Sequence, residues 1–165
     1  MTKITSKVWA LIGSSIILIA CEVRPNVSVE DLLQSDDIEE FNRYATAARA
    51  LGAAGIPLFL EVIDDSLDSK YSVLSYGKLN SSLFQIHSMA SQGIIDFHSV
   101  PVLIRAIEEQ IAIDDTLMTA DALRIITGVD PGYSADFVAS YTPEEEETRH
   151  QMIEQWREWY SEYSE

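Results

Sequence analysis

Two stretches of this chain repeat one apolar pattern at an offset of 44 residues, and each opens at a proline. The first begins at Ile56-Pro57 and sets Ile56, Phe59, Leu60, Ile63 and Leu67 in register; the second begins at Val100-Pro101 and answers with Val100, Leu103, Ile104, Ile107 and Ile111. Steps of three and four residues line one face of an α-helix. Proline is tolerated in the first turn, where the amides have no helical partner. A helix with one apolar face must bury it against a neighbour. Two helices with the same face, the same entry and a fixed separation therefore belong in equivalent surroundings.

The helices that precede them follow a matching plan. Ile38, Phe41, Ala45 and Ala48 form a stripe that ends at the Gly52-Ala53-Ala54-Gly55 turn, and Leu79, Leu83, Ile86 and Ala90 form another that stops near Gly93. A third such helix is predicted from Asp114 to Thr127, with Leu117, Ala120, Leu123 and Ile126 inside and Gly128 as its left-handed terminator. No stretch of the chain beyond the leader alternates with period two for long, so the fold class is all-α. A period in the forties with two helices per unit marks stacked helical repeats. Ala50-Leu51-Gly52 through Ile63, and Ser99 through Ile107, resemble HEAT repeats, the resemblance covering residues 36–128. It implies a short α-solenoid of about three helical hairpins whose second helices form the working surface.

The chain beyond Gly128 reads as a connector and a cap. Val129–Tyr141 carries Pro131 and Gly132, and its Tyr133, Phe137 and Tyr141 are expected to pack on the body. Thr142-Pro143-Glu144-Glu145 has the residues of a helix start, with threonine as N-cap and a glutamate three positions on. The final helix places Met152, Trp156, Trp159 and Tyr163 on one side, which suits a C-terminal capping helix over the end of a stack. A Thr-Gly helix end, a connector and then paired tryptophans also resemble the ending of bacterial HEAT-like domains. Both tryptophans are read as core.

The front of the chain carries an address. Lys3 and Lys7 precede an apolar run from Val8 to Ile19, and Leu18-Ile19-Ala20-Cys21 closes it with the chain's single cysteine. The basic start, short apolar run and small residue describe an export leader. Twelve residues fall short of the roughly 20 that a membrane-spanning helix needs. The four closing residues resemble the bacterial lipoprotein lipobox. That resemblance implies cleavage between Ala20 and Cys21 and lipid on the Cys21 thiol and its new amino terminus, with no other cofactor. Two or more acyl chains hold a protein stably on a bilayer. The implied division is a leader over 1–20, a tether over 21–35 and the repeat domain over 36–165. The place is a bacterial cell envelope, on the periplasmic side of an inner or outer membrane or on the outer face of a single-membrane cell.

Charge narrows the partners. The whole chain carries −16; loss of Lys3 and Lys7 would leave nine cations against 27 acidic groups, or −18. Such a field excludes nucleic acid and repels anionic headgroups, while it draws basic proteins and cations. With Cys21 committed to lipid no thiol remains for a disulfide or for catalysis. No phosphate loop, nucleophile elbow, zinc-protease helix or calcium loop occurs, and His87, His98 and His150 lie far apart. Asp64, Asp65 and Asp68 are expected in one inter-helix loop and Asp114 with Asp115 in the next equivalent one, where aspartates serve as caps and turn formers.

The expected partner surface is the exposed side of the two proline-led helices: Glu61, Asp64, Asp65, Asp68, Arg105 and Glu108. Three functions fit it. The first is a lipid-anchored, non-enzymatic interaction or scaffold module, the second an acidic inhibitor or immunity-type protein that neutralises a basic exported partner. The third is an accessory cation-binding or enzymatic protein built on the acidic loops. Some HEAT-like proteins are enzymes, including lyases that attach bilin pigments, but no catalytic motif of that kind is present.

Overall fold

Helix starts in this protein are set mostly by short polar side chains. In the computed structural model, which describes residues 26–69, 72–109, 113–134 and 142–164, α1 (Val29–Leu33) begins at Ser28. The Ser28 hydroxyl accepts from the Asp31 amide and the Asp31 carboxylate accepts from the Ser28 amide, a closed capping box. Asp37 caps α2 (Ile38–Ala50) by accepting from the Glu40 amide, and Ser72 caps α4 (Val73–Ser91) by accepting from the Ser75 amide. The proline-led helices, α3 (Ile56–Asp68) and α5 (Ser99–Glu108), have no side-chain cap. A 3₁₀ turn over Gly52–Gly55 feeds α3 directly. Gly55 is required there, since a Cβ would lie 2.1 Å from the carbonyl oxygen of Ala48.

The helix ends are equally legible. At the end of α4 the Gly93 amide donates to Ala90 and the Ile94 amide to Met89, with Gly93 at φ +78°: a Schellman motif. Gly128 takes φ +73° after α6 (Ile113–Thr127). The last element is α7 (Pro143–Ser164). Among the described residues there are seven α-helices packed together and no strand.

The packing pairs helices by order. Helix α4 lies between α2 and α6, and α5 between α3 and α7; α3 also packs on α4, and α5 on α6. The two proline-led helices thus lie side by side. At the 44-residue offset, Ile56 and Val100, Phe59 and Leu103, and Ile63 and Ile107 are all buried. Ile104 is buried but its counterpart Leu60 is only half-buried, and Ile111 lies outside the described residues. A further pair at the same offset, Val62 and Ala106, is fully buried, so the inner face of α3 is rotated slightly from the expected stripe.

Two expectations need correction. Asp64, Asp65 and Asp68 lie in the last turns of α3, because Ile63, Ser66 and Leu67 go on burying a helical face there, and Asp114 and Asp115 lie in the first turn of α6. The stretch expected as tether contains α1, which packs on α2 and α3 through a fully buried Leu32. Lys78, itself buried, donates from Nζ to the Leu33 carbonyl at 2.8 Å and so closes the end of α1.

At the other end Trp156 is buried and donates from Nε1 to the Val129 carbonyl at 3.1 Å, while Tyr133 packs against its ring. Trp159 is half-buried and stacks on the exposed Tyr163, with Phe97 tilted against both. Tyr133 packs as expected of the connector; Phe137 and Tyr141 lie outside the described residues.

Candidate functional site

Of the residues expected to form a partner surface, four engage one another or α7 in place of standing free. Arg105, on α5, reaches across to α3: its Nη1 donates to Asp64 Oδ1 at 3.1 Å and its Nη2 to Asp68 Oδ1. Its Nε donates to Glu109 Oε1 at 3.0 Å, at the C-cap of α5. Hydrogen bonding to Asp68 and Glu109 holds the guanidinium charged over the whole pH range of interest. Glu61 and Asp65 stay exposed on α3.

A second tie of the same kind joins α5 to α7. Arg157 donates to Glu108 on α5 and to Glu154 on its own helix, and His150 lies 3.6 Å from Glu154. Glu108 stands 44 residues after Asp64, and each accepts from an arginine on the next proline-side neighbour. The result is a ribbon of charge across α3, α5 and α7, in which two arginines serve Asp64, Asp68, Glu108, Glu109 and Glu154. Five carboxylates against two arginines leave the ribbon acidic. Open pockets of about 440 Å³ and about 300 Å³ lie on either side of Glu108.

The layer formed by α2, α4 and α6 is joined by other chemistry. Asp115, 2 % exposed, accepts from the Tyr76 hydroxyl at 2.7 Å and from the Asn80 amide. The hydrogen bond to that carboxylate pushes the Tyr76 phenol up to about 12. His87 Nε2 lies 2.8 Å from Asp121, which also accepts from Arg124; the arginine first and the histidine second hold the Asp121 carboxyl below its ordinary range. Toward α2, Ser81 donates to Asn42 and Arg49 to Ser88. Burial lowers the Lys78 amine on the same helix.

Sequence reasoning missed Arg157 and Glu154 as members of the ribbon, although an arginine three residues after a glutamate on a helix is a visible signal. It also missed Asp115 as a buried hub, for which an aspartate in a first turn gives no cue. His98 pairs with Asp96, two residues away. Among the described residues no cluster of histidine, cysteine or carboxylate side chains could hold a metal, and no helix is long and apolar enough to cross a membrane. Ala20 and Cys21 lie outside the described residues. No protein-family model, curated protein or solved structure matches this chain.

Proposed function

We propose that this protein is a lipid-anchored envelope module that holds another protein on the layer formed by α3, α5 and α7. In this reading the helices form a short HEAT-like solenoid of two layers, α2, α4 and α6 against α3, α5 and α7, the last helix closing the stack. Lipid on Cys21 tethers it to a membrane, and the surface does no catalysis. The observation that carries the reading is the recurring arginine tie. Asp64 and Glu108 stand 44 residues apart and each is bridged to an arginine on the next helix of the layer, which supports reading the helices as like units. Partly exposed ion pairs contribute only about 0–1 kcal/mol each, so this face is ordered at little energetic cost to any partner that replaces them.

The anchor is tested by intact-mass analysis of the product isolated from membranes. A chain beginning at Cys21 with acyl mass is expected; an uncut leader with an unmodified thiol overturns it. The interaction is tested by placing a photo-cross-linking residue at position 61, where a single protein adduct is expected in native membranes. Loss of that adduct on Asp64→Lys with Asp68→Lys assigns it to this face. A second reading, an inhibitor of a basic exported protein, is favoured by the surplus of carboxylates over arginines in the ribbon. It requires association whose rate and affinity fall steeply with salt.

A further inference from the structure

A groove follows the contact between α5 and α7 along most of the 22 residues of α7. Pro143, Glu146, His150, Ile153, Arg157 and Tyr160 line it at steps of three or four, so it tracks one face of the helix. The Glu108–Arg157 pair crosses it midway and divides it into two unlike pockets. The pocket toward the start of α7, about 440 Å³, is bordered by three carboxylates, Glu108, Glu146 and Glu147, and by Arg149 and His150, with Ile153 behind them. The other, about 300 Å³, is bordered by Pro101, Ile104 and Tyr160.

We infer that this groove holds an extended basic segment of a partner protein, an apolar side chain entering beside Pro101, Ile104 and Tyr160 and a lysine or arginine entering among Glu108, Glu146 and Glu147. The inference rests on the interaction reading above and names the occupant by charge complementarity. The basic groups of the groove already have acidic neighbours: Arg157 serves Glu108 and Glu154, Arg149 lies 3.9 Å from Glu146, and His150 lies 3.6 Å from Glu154. Glu108, Glu146, Glu147 and Glu154 outnumber Arg149 and Arg157, so the net charge of the groove favours an incoming cation over an acidic segment. Spacing follows from geometry. Glu147 and Tyr160 are 13 residues apart, about 20 Å along a helix rising 1.5 Å per residue. An extended chain covers that in about six residues. The Glu108–Arg157 bridge is partly exposed and is exchanged for a ligand cation at small cost.

The test uses the full-length protein and three fluorescein-labelled peptides at low salt, read by anisotropy. One carries leucine and, six residues on, paired lysine and arginine on a Gly/Ser backbone; the second lacks the leucine; the third replaces the cations by glutamate. The first is expected to bind about tenfold more tightly than the second, a difference of 1.4 kcal/mol, and the third not to bind. Glu146→Gln with Glu147→Gln is expected to weaken the first by about tenfold, and Tyr160→Ser to remove the advantage of leucine, each variant keeping its helical circular dichroism. Equal affinity with and without leucine, binding indifferent to these substitutions, or no basic peptide bound overturns the groove. Binding lost only on Asp64→Asn with Asp68→Asn also overturns the groove but leaves the α3 face as the interaction site. The cross-link at position 61 judges that broader reading by itself.

Discussion

The two helix layers are sewn together by different chemistry. Between α3, α5 and α7 the ties are ion pairs at the solvent boundary, with Arg105 35 % and Arg157 40 % exposed. Between α4 and α6 the central tie converges on a group withdrawn from water, Asp115 at 2 %, while the His87–Asp121 and Ser81–Asn42 ties of the same layer stay at the surface. An exposed pair gives back most of its Coulomb energy to solvent screening. A buried carboxylate depends on every hydrogen bond it receives, because an unmet buried charge is costly. Asp115 thus fixes the register of α4 against α6, whereas the ion pairs between α3, α5 and α7 can be broken at small cost.

A substitution beneath both layers sets the upper limit. Leu103 is fully buried in the common core, so Leu103→Asp places a charge where nothing can pair it. Cooperative folding is expected to be lost, read as absent helical circular dichroism at 25 °C. Leu60→Asp, at a half-buried position of the neighbouring proline-led helix, is expected to leave a folded protein. Equal damage from the two would show that the inner face of α3 is the one expected from spacing alone.

That contrast marks how far the fold was legible. The stripes around Phe59 and Leu103, the turn at Gly52–Gly55, the stop at Gly93 and the final tryptophan helix could all be read, because periodicity and cap chemistry are local. The role of Leu60 could not, since Leu60 and Val62 lie at opposite edges of the apolar arc of α3 and only the neighbours decide which edge turns inward. Asp64 and Asp68 read as loop residues because aspartate disfavours helix interiors; the burial of Leu67 outweighs that preference. The members of the candidate surface were mostly legible, but its pairing was not. Arg105 meets Asp64 across 41 residues, and no local rule links two such positions.

The next largest effect is expected at the withdrawn carboxylate. Asp115→Ala strips the Tyr76 hydroxyl and the Asn80 amide of their acceptor at once. Loss of stability by about 2–4 kcal/mol is expected from denaturant titration. A loss under 1 kcal/mol would erase the distinction between the layers.

Tyr76 gives a pH signature of the same hub. Its phenol is pushed up to about 12 in the folded protein, against an ordinary value near 10. The neutral form is therefore favoured by folding, and its contribution is whole below pH 10 and lost as pH rises toward 12, where the unfolded chain sheds its proton first. Tm is expected to fall over that window, and Tyr76→Phe to flatten the fall while lowering stability at neutral pH by about 1 kcal/mol. Asp121 acts in the opposite direction. Held low by Arg124 and His87, it contributes at neutral pH and loses that contribution in acid, as pH drops through its depressed value.

The smallest effect belongs to the arginine ties. Arg105→Gln removes the bridge to Asp64 and Asp68, and Arg157→Gln the bridge to Glu108, yet each is expected to change stability by less than about 1 kcal/mol. Part of any loss should vanish in 0.5 M salt, because these pairs are screened while the Asp115 hub is not. Both substitutions also uncover carboxylates. On the groove reading, Arg157→Gln frees Glu108 for an incoming cation and should tighten binding of the leucine-bearing basic peptide while leaving the fold intact. A variant that is clearly destabilised at high salt would move the ribbon from the exchangeable class into the structural one, and the two layers would then differ in exposure but not in role.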